Sequence, residues 1–218
     1  CVFQPASFLT EMAASKAAVA RILSPLARPA DALLRHITPP AWRKTASPQR
    51  ALPSADADDE TTADLFIRFT ESFAARPHWQ NHLHQMIAHA RRKALYGSMV
   101  RRVVYARNGE PVGLFLYYGD RGRIGRAVQV LAGPGQTGAV IDSMLADADR
   151  RGLTALRGRT MPVLLEAMMG GPFLFLNASS SIVHARDPAL AAPFLSGEAF
   201  FNGFAGESWS RLIGDRFG

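Results

Sequence analysis

Residues 127–139 read AVQVLAGPGQTGA, and this stretch decides the fold. A run of β-forming residues leads into a glycine-bearing loop over residues 133–138. Behind the loop, apolar residues recur at helical spacing, which predicts an amphipathic helix that ends at Arg150, Arg151 and Gly152. A strand that turns directly into a helix leaves unpaired backbone N–H groups beside the positive end of the helix dipole. The sequence therefore predicts a place suited to a phosphate or pyrophosphate group.

Three β-rich runs lie immediately upstream and end in this loop. They are Met99–Ala106, Val112–Tyr118 and Ile124–Leu131. The first two are joined around Asn108-Gly109, which is a strong hairpin signal, and a second turn signal, Asp120-Arg121-Gly122, precedes the third. The sequence therefore predicts a meander of three antiparallel strands.

Two helices are predicted before the meander, at about residues 62–75 and 79–95. Thr61 followed by Asp64 resembles a capping box, and the apolar side chains of each segment fall on one helical face. After the predicted helix that follows the loop, the pattern predicts a strand at Leu153–Leu156 and a short helix at Met161–Met169. Further elements are predicted in the order strand Phe173–Leu176, strand Ile182–Ala185, helix Pro188–Leu195 and β segment Ala199–Leu212.

The first 59 residues differ in composition from the rest. Residues 7–37 favour a basic amphipathic helix interrupted by prolines, and residues 38–59 are rich in Pro, Ser, Ala and Asp, which is typical of a linker. We expect this part to come from a missing upstream domain and a folded domain to occupy residues 60–218. A mature lipoprotein also begins with cysteine, but we interpret Cys1 as the start of a truncated chain.

Composition excludes several classes of protein. The net charge of +7 over 218 residues comes almost entirely from arginine, and no basic run resembles a nucleic-acid module. A single cysteine, Cys1, excludes a disulfide framework. No apolar run approaches the roughly 20 residues that a bilayer span needs. We expect a soluble, cytoplasmic protein of bacterial type without a nucleic-acid partner.

The order of elements, together with Ala127–Ala139, resembles the GNAT superfamily of N-acyltransferases over roughly residues 60–212. The resemblance implies an α/β fold with a mixed, largely antiparallel central sheet flanked by helices. It also implies that the chain binds acetyl-coenzyme A or another acyl-coenzyme A as substrate, without a metal, and transfers the acyl group to an amine of a small molecule, peptide or glycan. The implied cofactor-binding residues are Leu131, Gly133, Gly135, Gln136, Thr137, Gly138 and Ala139.

The same resemblance leaves the catalytic residues open. Tyr117, Tyr118 and Gln129 lie on strands that would border an acyl pocket, although ordinary sheet packing also explains them. Glu207 and His184 are the ionisable groups that we consider for a base, with solvated or salt-bridged roles as the alternative. Direct transfer from a thioester to an amine needs no protein nucleophile.

Two departures from the family pattern raise a second hypothesis. Only one residue separates Gln136 from Gly138, where the family has two, and methionines stand in Leu164–Phe173 where the family often has a catalytic tyrosine. With the linker, this resembles the second half of a tandem acyltransferase of the kind related to the Fem proteins. Such a half can be a non-catalytic domain that completes an upstream transferase domain.

Two other functional signals in the sequence also have structural explanations. Gly133, Gly135 and Gly138 match the dinucleotide fingerprint, which needs a parallel βαβ unit and an acidic residue about twenty positions on. Arg157 and Arg159 stand there instead, so a coenzyme A site or a structural turn is favoured. His78, His82 and His89 fall along one edge of the second predicted helix, but no Glu or Cys completes a metal site.

Overall fold

A computed structural model gives the architecture of the chain. It describes residues 1–14, 29–31, 50–79, 82–93, 97–169, 171, 173–175, 182–201 and 203–205.

Five strands form one mixed sheet in these residues, in the order in which they occur along the chain. They are β1 Ser54–Asp56, β2 Met99–Tyr105, β3 Pro111–Tyr118, β4 Ile124–Ala132 and β5 Ala155–Arg157. Strands β1 to β4 pair antiparallel, whereas β5 pairs parallel to β4. The helices that accompany them are α1 Pro5–Ala14, α2 Asp59–Thr70, α3 Leu83–Lys93, α4 Thr137–Arg150, α5 Pro162–Met168 and α6 Pro188–Ser196, with a 3-10 turn at Gly203–Ala205. The predicted mixed, largely antiparallel sheet flanked by helices is confirmed.

Helices cover both faces of the sheet because successive residues of a strand point to opposite sides. The hydroxyl of Tyr117 donates to Asp147 of α4 on one face. Its neighbour Tyr118 donates to the carbonyl of Ala90 in α3 on the other face. On that second face, Phe66 of α2 is fully buried and meets the ring of Trp79 edge-on at 5.4 Å. The core therefore lies in two layers on either side of β3.

The ends of the predicted helices needed correction. Helix α2 starts earlier than predicted, because Asp58 rather than Thr61 is its N-cap and accepts a hydrogen bond from the Thr61 backbone N–H at 2.7 Å. Helix α3 begins only at Leu83, so Trp79 belongs to the preceding segment. Helix α4 ends as predicted, with Gly152 at a positive φ of 73°.

The predicted strands after α5 were wrong in the described residues. Phe173–Phe175 and Ile182–Ala185 have no regular structure, and residues 176–181 lie outside the described part. Ile182 is 95% exposed, and β-forming side chains need a neighbouring strand edge before they form a strand. In the predicted Ala199–Leu212 segment, Ala199 forms a single bridge, residues 203–205 are the 3-10 turn, and residues 206–212 are not described.

Parts of the first 59 residues pack on the sheet. Strand β1, within the predicted linker, pairs with β2, and Val2 forms an antiparallel bridge with Ala155 on the outer edge of β5. Helix α1 covers only part of the predicted 7–37 helix, most of which is not described. The carboxylate of Asp31 accepts hydrogen bonds from the first turn of α1. The division into a linker and a domain at residue 60 stays a prediction.

Among the described residues, we find no helix with the length and apolar character that crossing a bilayer requires.

Candidate functional site

An open cleft of about 710 Å³ lies at the carboxyl end of β4. Its walls come from the end of β4, the loop that follows, the start of α4, the C-terminal part of α2 and the helix α5. The lining residues from the loop and the start of α4 include Gly133, Pro134, Gly135, Thr137, Gly138 and Ala139. The structure thus gathers most of the predicted cofactor-binding residues around one open space.

The cleft exists because β4 and β5 stay paired for only a short distance. They pair from Ile124 to Arg126, and β5 ends there at Arg157. Gly158 still packs closely on β4, since a Cβ atom built on it would lie 2.9 Å from the Cβ of Ala127. Beyond that contact the chain turns into α5 while β4 continues to Ala132. Within the described residues, no strand fills the space beside the end of β4.

The 3-10 turn covers one part of this free edge. Gly203 lies so close to Val128 and Gln129 that it has no room for a Cβ atom. The register of β4 against β3 also shifts at this point, between the pairs Leu116–Gln129 and Tyr117–Ala127. The cleft opens only after the covered part, beside Val130 to Ala132.

The loop after β4 is held by main-chain hydrogen bonds. The N–H of Gly133 donates to the carbonyl of Val112 at 2.9 Å, and the N–H of Gln136 donates to the carbonyl of Gly133 at 3.1 Å. Gly135 has a φ of 72°, a left-handed conformation that glycine adopts at little cost. These constraints fix the direction in which the chain enters α4.

The N-terminus of α4 has no side-chain cap. Gln136 is the N-cap residue, and its side chain makes no capping hydrogen bond. The first helical bond runs from the N–H of Val140 to the carbonyl of Gln136 at 3.0 Å. None of the described residues accepts a hydrogen bond from the N–H groups of Thr137, Gly138 or Ala139. Three backbone donors and the positive end of the dipole are therefore available at the cleft.

An arginine that the sequence analysis missed lies beside these donors. A Cβ atom built on Gly138 would be 3.9 Å from Nη1 of Arg50, which lines the cleft. Arg50 is placed there by the chain before β1. The backbone N–H of Leu52 donates to the hydroxyl of Ser143 in α4 at 2.8 Å, and that hydroxyl in turn reaches the carbonyl of Leu52 at 3.2 Å. Among the described residues, Arg50 has no carboxylate partner.

The predicted catalytic tyrosines lie away from the cleft. Both Tyr117 and Tyr118 are fully buried, and their hydroxyls bond to Asp147 and Ala90 at 2.7 and 2.8 Å. Burial raises the pKa of both tyrosines above the ordinary value, and for Tyr117 the hydrogen bond to Asp147 raises it further. Neither hydroxyl is placed to give a proton to a group in the cleft.

The other predicted catalytic candidates are not brought to the cleft either. Gln129 is 3% exposed, and its Oε1 atom receives no hydrogen bond within the described residues. His184 is exposed in a segment without regular structure. Glu207 lies outside the described residues. Their catalytic roles stay predictions.

Glu166 of α5 is a cleft residue that the sequence analysis did not single out. It is exposed, it lines the cleft, and no other carboxylate among the described residues does so. It lies one turn along the helix from Val163, which also lines the cleft. This spacing would have indicated Glu166 only once Val163 was known to line the cleft. Ser72 and the rings of Phe69 and Phe73 line the opposite wall and were likewise missed as site residues.

The predicted helical edge shared by His78, His82 and His89 is not present in the structure. His78 and His82 precede α3 and so do not share a helical edge with His89. Within the described ranges, no group of three or more His, Cys, Asp or Glu side chains is placed to hold a metal ion.

The structure meets one requirement of a dinucleotide site but not the other. Strand β4, helix α4 and strand β5 do form a parallel βαβ unit, although a meander precedes it. The acidic residue that such a site requires is still missing, because β5 ends at Arg157 and Arg159 follows it. This strand end therefore lacks the ribose-binding carboxylate of a dinucleotide site.

The comparisons with known proteins are distant. No family model and no curated protein matches the chain. Two solved structures each align over nearly their whole length. An acetyltransferase from Trypanosoma brucei has 17% identity and a TM-score of 0.41, with 61% of this chain and 99% of that chain covered. A ribosomal-protein-alanine N-acetyltransferase from Brucella melitensis biovar Abortus 2308 has 15% identity and a TM-score of 0.41, with 62% and 99% covered.

A third solved structure is similar over less of its length. It is a glucosamine N-acetyltransferase region of a fungal multi-domain β-N-acetylglucosaminidase, with 15% identity, a TM-score of 0.31, and coverage of 50% of this chain and 14% of that chain. The described residues form a mixed α/β fold with an open cleft beside the uncapped N-terminus of α4 and Arg50.

Proposed function

We propose that the chain is an acyl-coenzyme A-dependent N-acyltransferase, which moves an acyl group from coenzyme A to an amine. Within residues 131–139, the unbonded N–H groups of Thr137, Gly138 and Ala139 would hold the diphosphate of the coenzyme. One observation carries this proposal: the uncapped N-terminus of α4 faces an open cleft beside Arg50, which has no carboxylate partner in the described part of the chain. Backbone N–H groups, a helix dipole and a guanidinium are the groups that bind phosphates in proteins.

The chemistry requires little of the protein beyond positioning. The nitrogen lone pair of a neutral amine attacks the thioester carbonyl, the C–N bond forms, and the C–S bond breaks. The coenzyme leaves as a thiolate and takes up the proton that the amine loses. Glu166 lines the cleft and is our candidate for the base that accepts the proton from the amine and passes it to the thiolate. The amine itself is not identified by the site.

A second function is favoured by the tyrosines. Helix α5 carries no tyrosine, and both Tyr117 and Tyr118 are buried and bonded away from the cleft. A domain without a proton donor for the thiolate could serve as a non-catalytic partner that completes an upstream transferase domain. A tandem arrangement and a cytoplasmic location stay our predictions.

Calorimetry tests the coenzyme site directly. Titration of the intact protein with acetyl-coenzyme A should give a binding isotherm, and no heat at millimolar ligand would refute the proposal. Gly138→Leu should abolish binding, because the new side chain projects into the cleft, where only Arg50 is near. The cost of losing two charge-assisted hydrogen bonds corresponds to about 100-fold or more in affinity. Gly138 is helical and has space, so the protein should remain folded.

The matched control adds the same side chain elsewhere on α4. Asp149 is exposed and lies outside the cleft, so Asp149→Leu should bind acetyl-coenzyme A like the wild type. Activity of a full-length protein then separates the two functions. Gly138→Leu should eliminate acyl transfer if this domain is the catalyst, and should leave transfer intact if the domain only supports an upstream partner.

A further inference from the structure

We propose that the acyl group bound in this cleft is an aliphatic chain of medium length or longer, rather than acetyl. The inference rests on the proposed function, since it names the class of acyl-coenzyme A that the same cleft selects. It depends on the apolar walls of the cleft and on the exposed apolar side chains of α5.

The cleft has a polar end, and its other walls are mainly apolar. The polar end consists of the α4 N-terminus and Arg50. Most of the other lining residues are apolar and come from β4, from α2 and the segment after it, and from α5 and its N-cap residue: Phe69, Phe73, Val130, Leu131, Met161 and Val163. Ser72 and Glu166 are the polar side chains on these walls. A ligand that matches both parts has an anionic head and an aliphatic tail, and a fatty acyl thioester of a phosphorylated carrier has this chemistry.

Helix α5 exposes more apolar surface than its packing requires. Val163 lines the cleft and is 48% exposed, whereas Leu165 of the same helix and the C-cap residue Met169, which are 39% and 66% exposed, lie outside the cleft lining. Exposure of an apolar side chain such as Val163 to water is unfavourable in free energy. Contact with an aliphatic chain would remove this apolar surface from water. The half-open wall is therefore placed to bury successive methylene groups of a ligand.

The pantetheine arm of the coenzyme is the other occupant that could cover this wall. It is common to every acyl-coenzyme A, so its contribution to binding does not change with the length of the acyl chain. A series of chain lengths therefore distinguishes the two occupants.

The experiment is calorimetry of the intact wild-type protein with free coenzyme A and with its acetyl, butyryl, hexanoyl and octanoyl thioesters. Full burial of a methylene strengthens binding roughly fourfold, and we expect about half of that burial in an open cleft, or roughly twofold per methylene. Octanoyl-coenzyme A should then bind about 60-fold more tightly than acetyl-coenzyme A. Equal affinities across the series would overturn the inference and assign the wall to pantetheine.

Two matched variants test the position of the chain. Val163→Asp places a carboxylate on the cleft wall near the start of α5, where a negative charge does not oppose the helix dipole. It should reduce the octanoyl-to-acetyl affinity ratio to about twofold, since a charge beside a methylene chain removes the apolar contact. Leu165→Asp makes the same change outside the cleft lining and should preserve the full ratio. Equal ratios in the two variants would contradict the assignment of this wall.

The outcomes separate the two proposals. If neither free coenzyme A nor any thioester binds, both the proposed function and this inference fail. If all of them bind with one affinity, the function stands and the inference fails. The wild-type series gives this answer even if Val163→Asp does not fold.

Discussion

The two ends of α4 differ in how their polar groups are hydrogen-bonded within the described residues. At the C-terminal end, Asp147 is 3% exposed and accepts hydrogen bonds from the Tyr117 hydroxyl at 2.7 Å and from Nε of Arg151 at 2.9 Å. Arg150 and Arg102 approach the same carboxylate at 3.2 and 3.5 Å. At the N-terminal end, the first N–H groups have no acceptor among the described residues, and the nearest charge is a guanidinium.

This difference indicates which end serves the fold and which end serves a ligand. A buried carboxylate needs partners, and Asp147 has them from β2, β3, α4 and the C-cap of α4. At the other end, a positive side chain beside the positive end of a dipole is unfavourable until an anion binds between them. The contrast predicts that changes at the C-terminal end alter stability, whereas changes at the N-terminal end alter ligand binding.

Removing the carboxylate of Asp147, at the C-terminal end of α4, should have the largest effect on the free energy of unfolding. Asp147→Ala leaves the charge of Arg102 and the hydroxyl of Tyr117 without their buried partner, so we expect a loss of about 3–5 kcal/mol in the free energy of unfolding. Urea denaturation measures this loss. Asp149→Ala, an exposed change on the same helix, is the control and should stay within about 0.5 kcal/mol of wild type. A loss below about 1 kcal/mol for Asp147→Ala would show that the network does not support the fold.

Removing only the hydroxyl of Tyr117 tests one hydrogen bond to Asp147 by itself. Tyr117→Phe deletes one buried hydrogen bond to a charged group and should cost about 2 kcal/mol. The pKa of Tyr117 is raised above its ordinary value of 10.0, mainly by burial and then by Asp147. The native state thus resists ionisation of Tyr117. The stability that this hydroxyl contributes is therefore present below the ordinary pKa of 10.0 and is lost as the pH rises above 10.0. Unfolding at neutral and alkaline pH should show a smaller alkaline loss in the variant.

The sequence predicted the turns, strands and helices that depend on neighbouring residues, but not the contacts between residues that are distant in the chain. Asn108-Gly109, the alternating strands and the 3.6-residue period of Val140, Ile141, Met144 and Leu145 are read within a few residues, and the meander and α4 were confirmed. Arg50 reaches the cleft only because Ser143 holds Leu52, a contact across 91 positions that no local pattern encodes.

The same distinction explains the errors in the predicted site. The sequence predicted that Tyr117 and Tyr118 lie on a strand beside an acyl pocket, but it did not show that α3 and α4 supply partners that hold both hydroxyls inside the core. The strands predicted at 173–176 and 182–185 rested on β propensity, which depends on a neighbouring strand edge. The outer edge of β5 instead bridges to Val2, near the chain start.

A change at the open end should leave the fold unaffected. Arg50→Ala removes a positive charge beside the α4 N-terminus, so the free energy of unfolding should not fall. Affinity for acetyl-coenzyme A should fall about tenfold, which corresponds to one charge-assisted contact with a phosphate. Arg107→Ala, an exposed change in the β2–β3 turn, is the control for net charge and should bind like the wild type. A stability loss with unchanged affinity would reverse the assignment of the two ends.

The start of α2 provides the smallest test, because it is a capped helix end to set against the uncapped α4. Hydrogen bonds from the side chain and then the backbone N–H of Thr61 lower the pKa of Asp58 below its ordinary value of 3.8. The stability that the charged cap adds is therefore present above that value and is lost as the pH falls through the lower, folded-state pKa.

Asp58→Asn keeps a capping side chain but cannot titrate. The difference in urea midpoint between wild type and variant should be constant from neutral pH down to the ordinary aspartate range, and should shift against the wild type only in more acidic solution. A difference that does not change with pH would mean that the charge of Asp58 contributes nothing to the cap. In that case a capped and an uncapped helix start would differ only in hydrogen bonding, and the dipole argument for the α4 site would weaken accordingly.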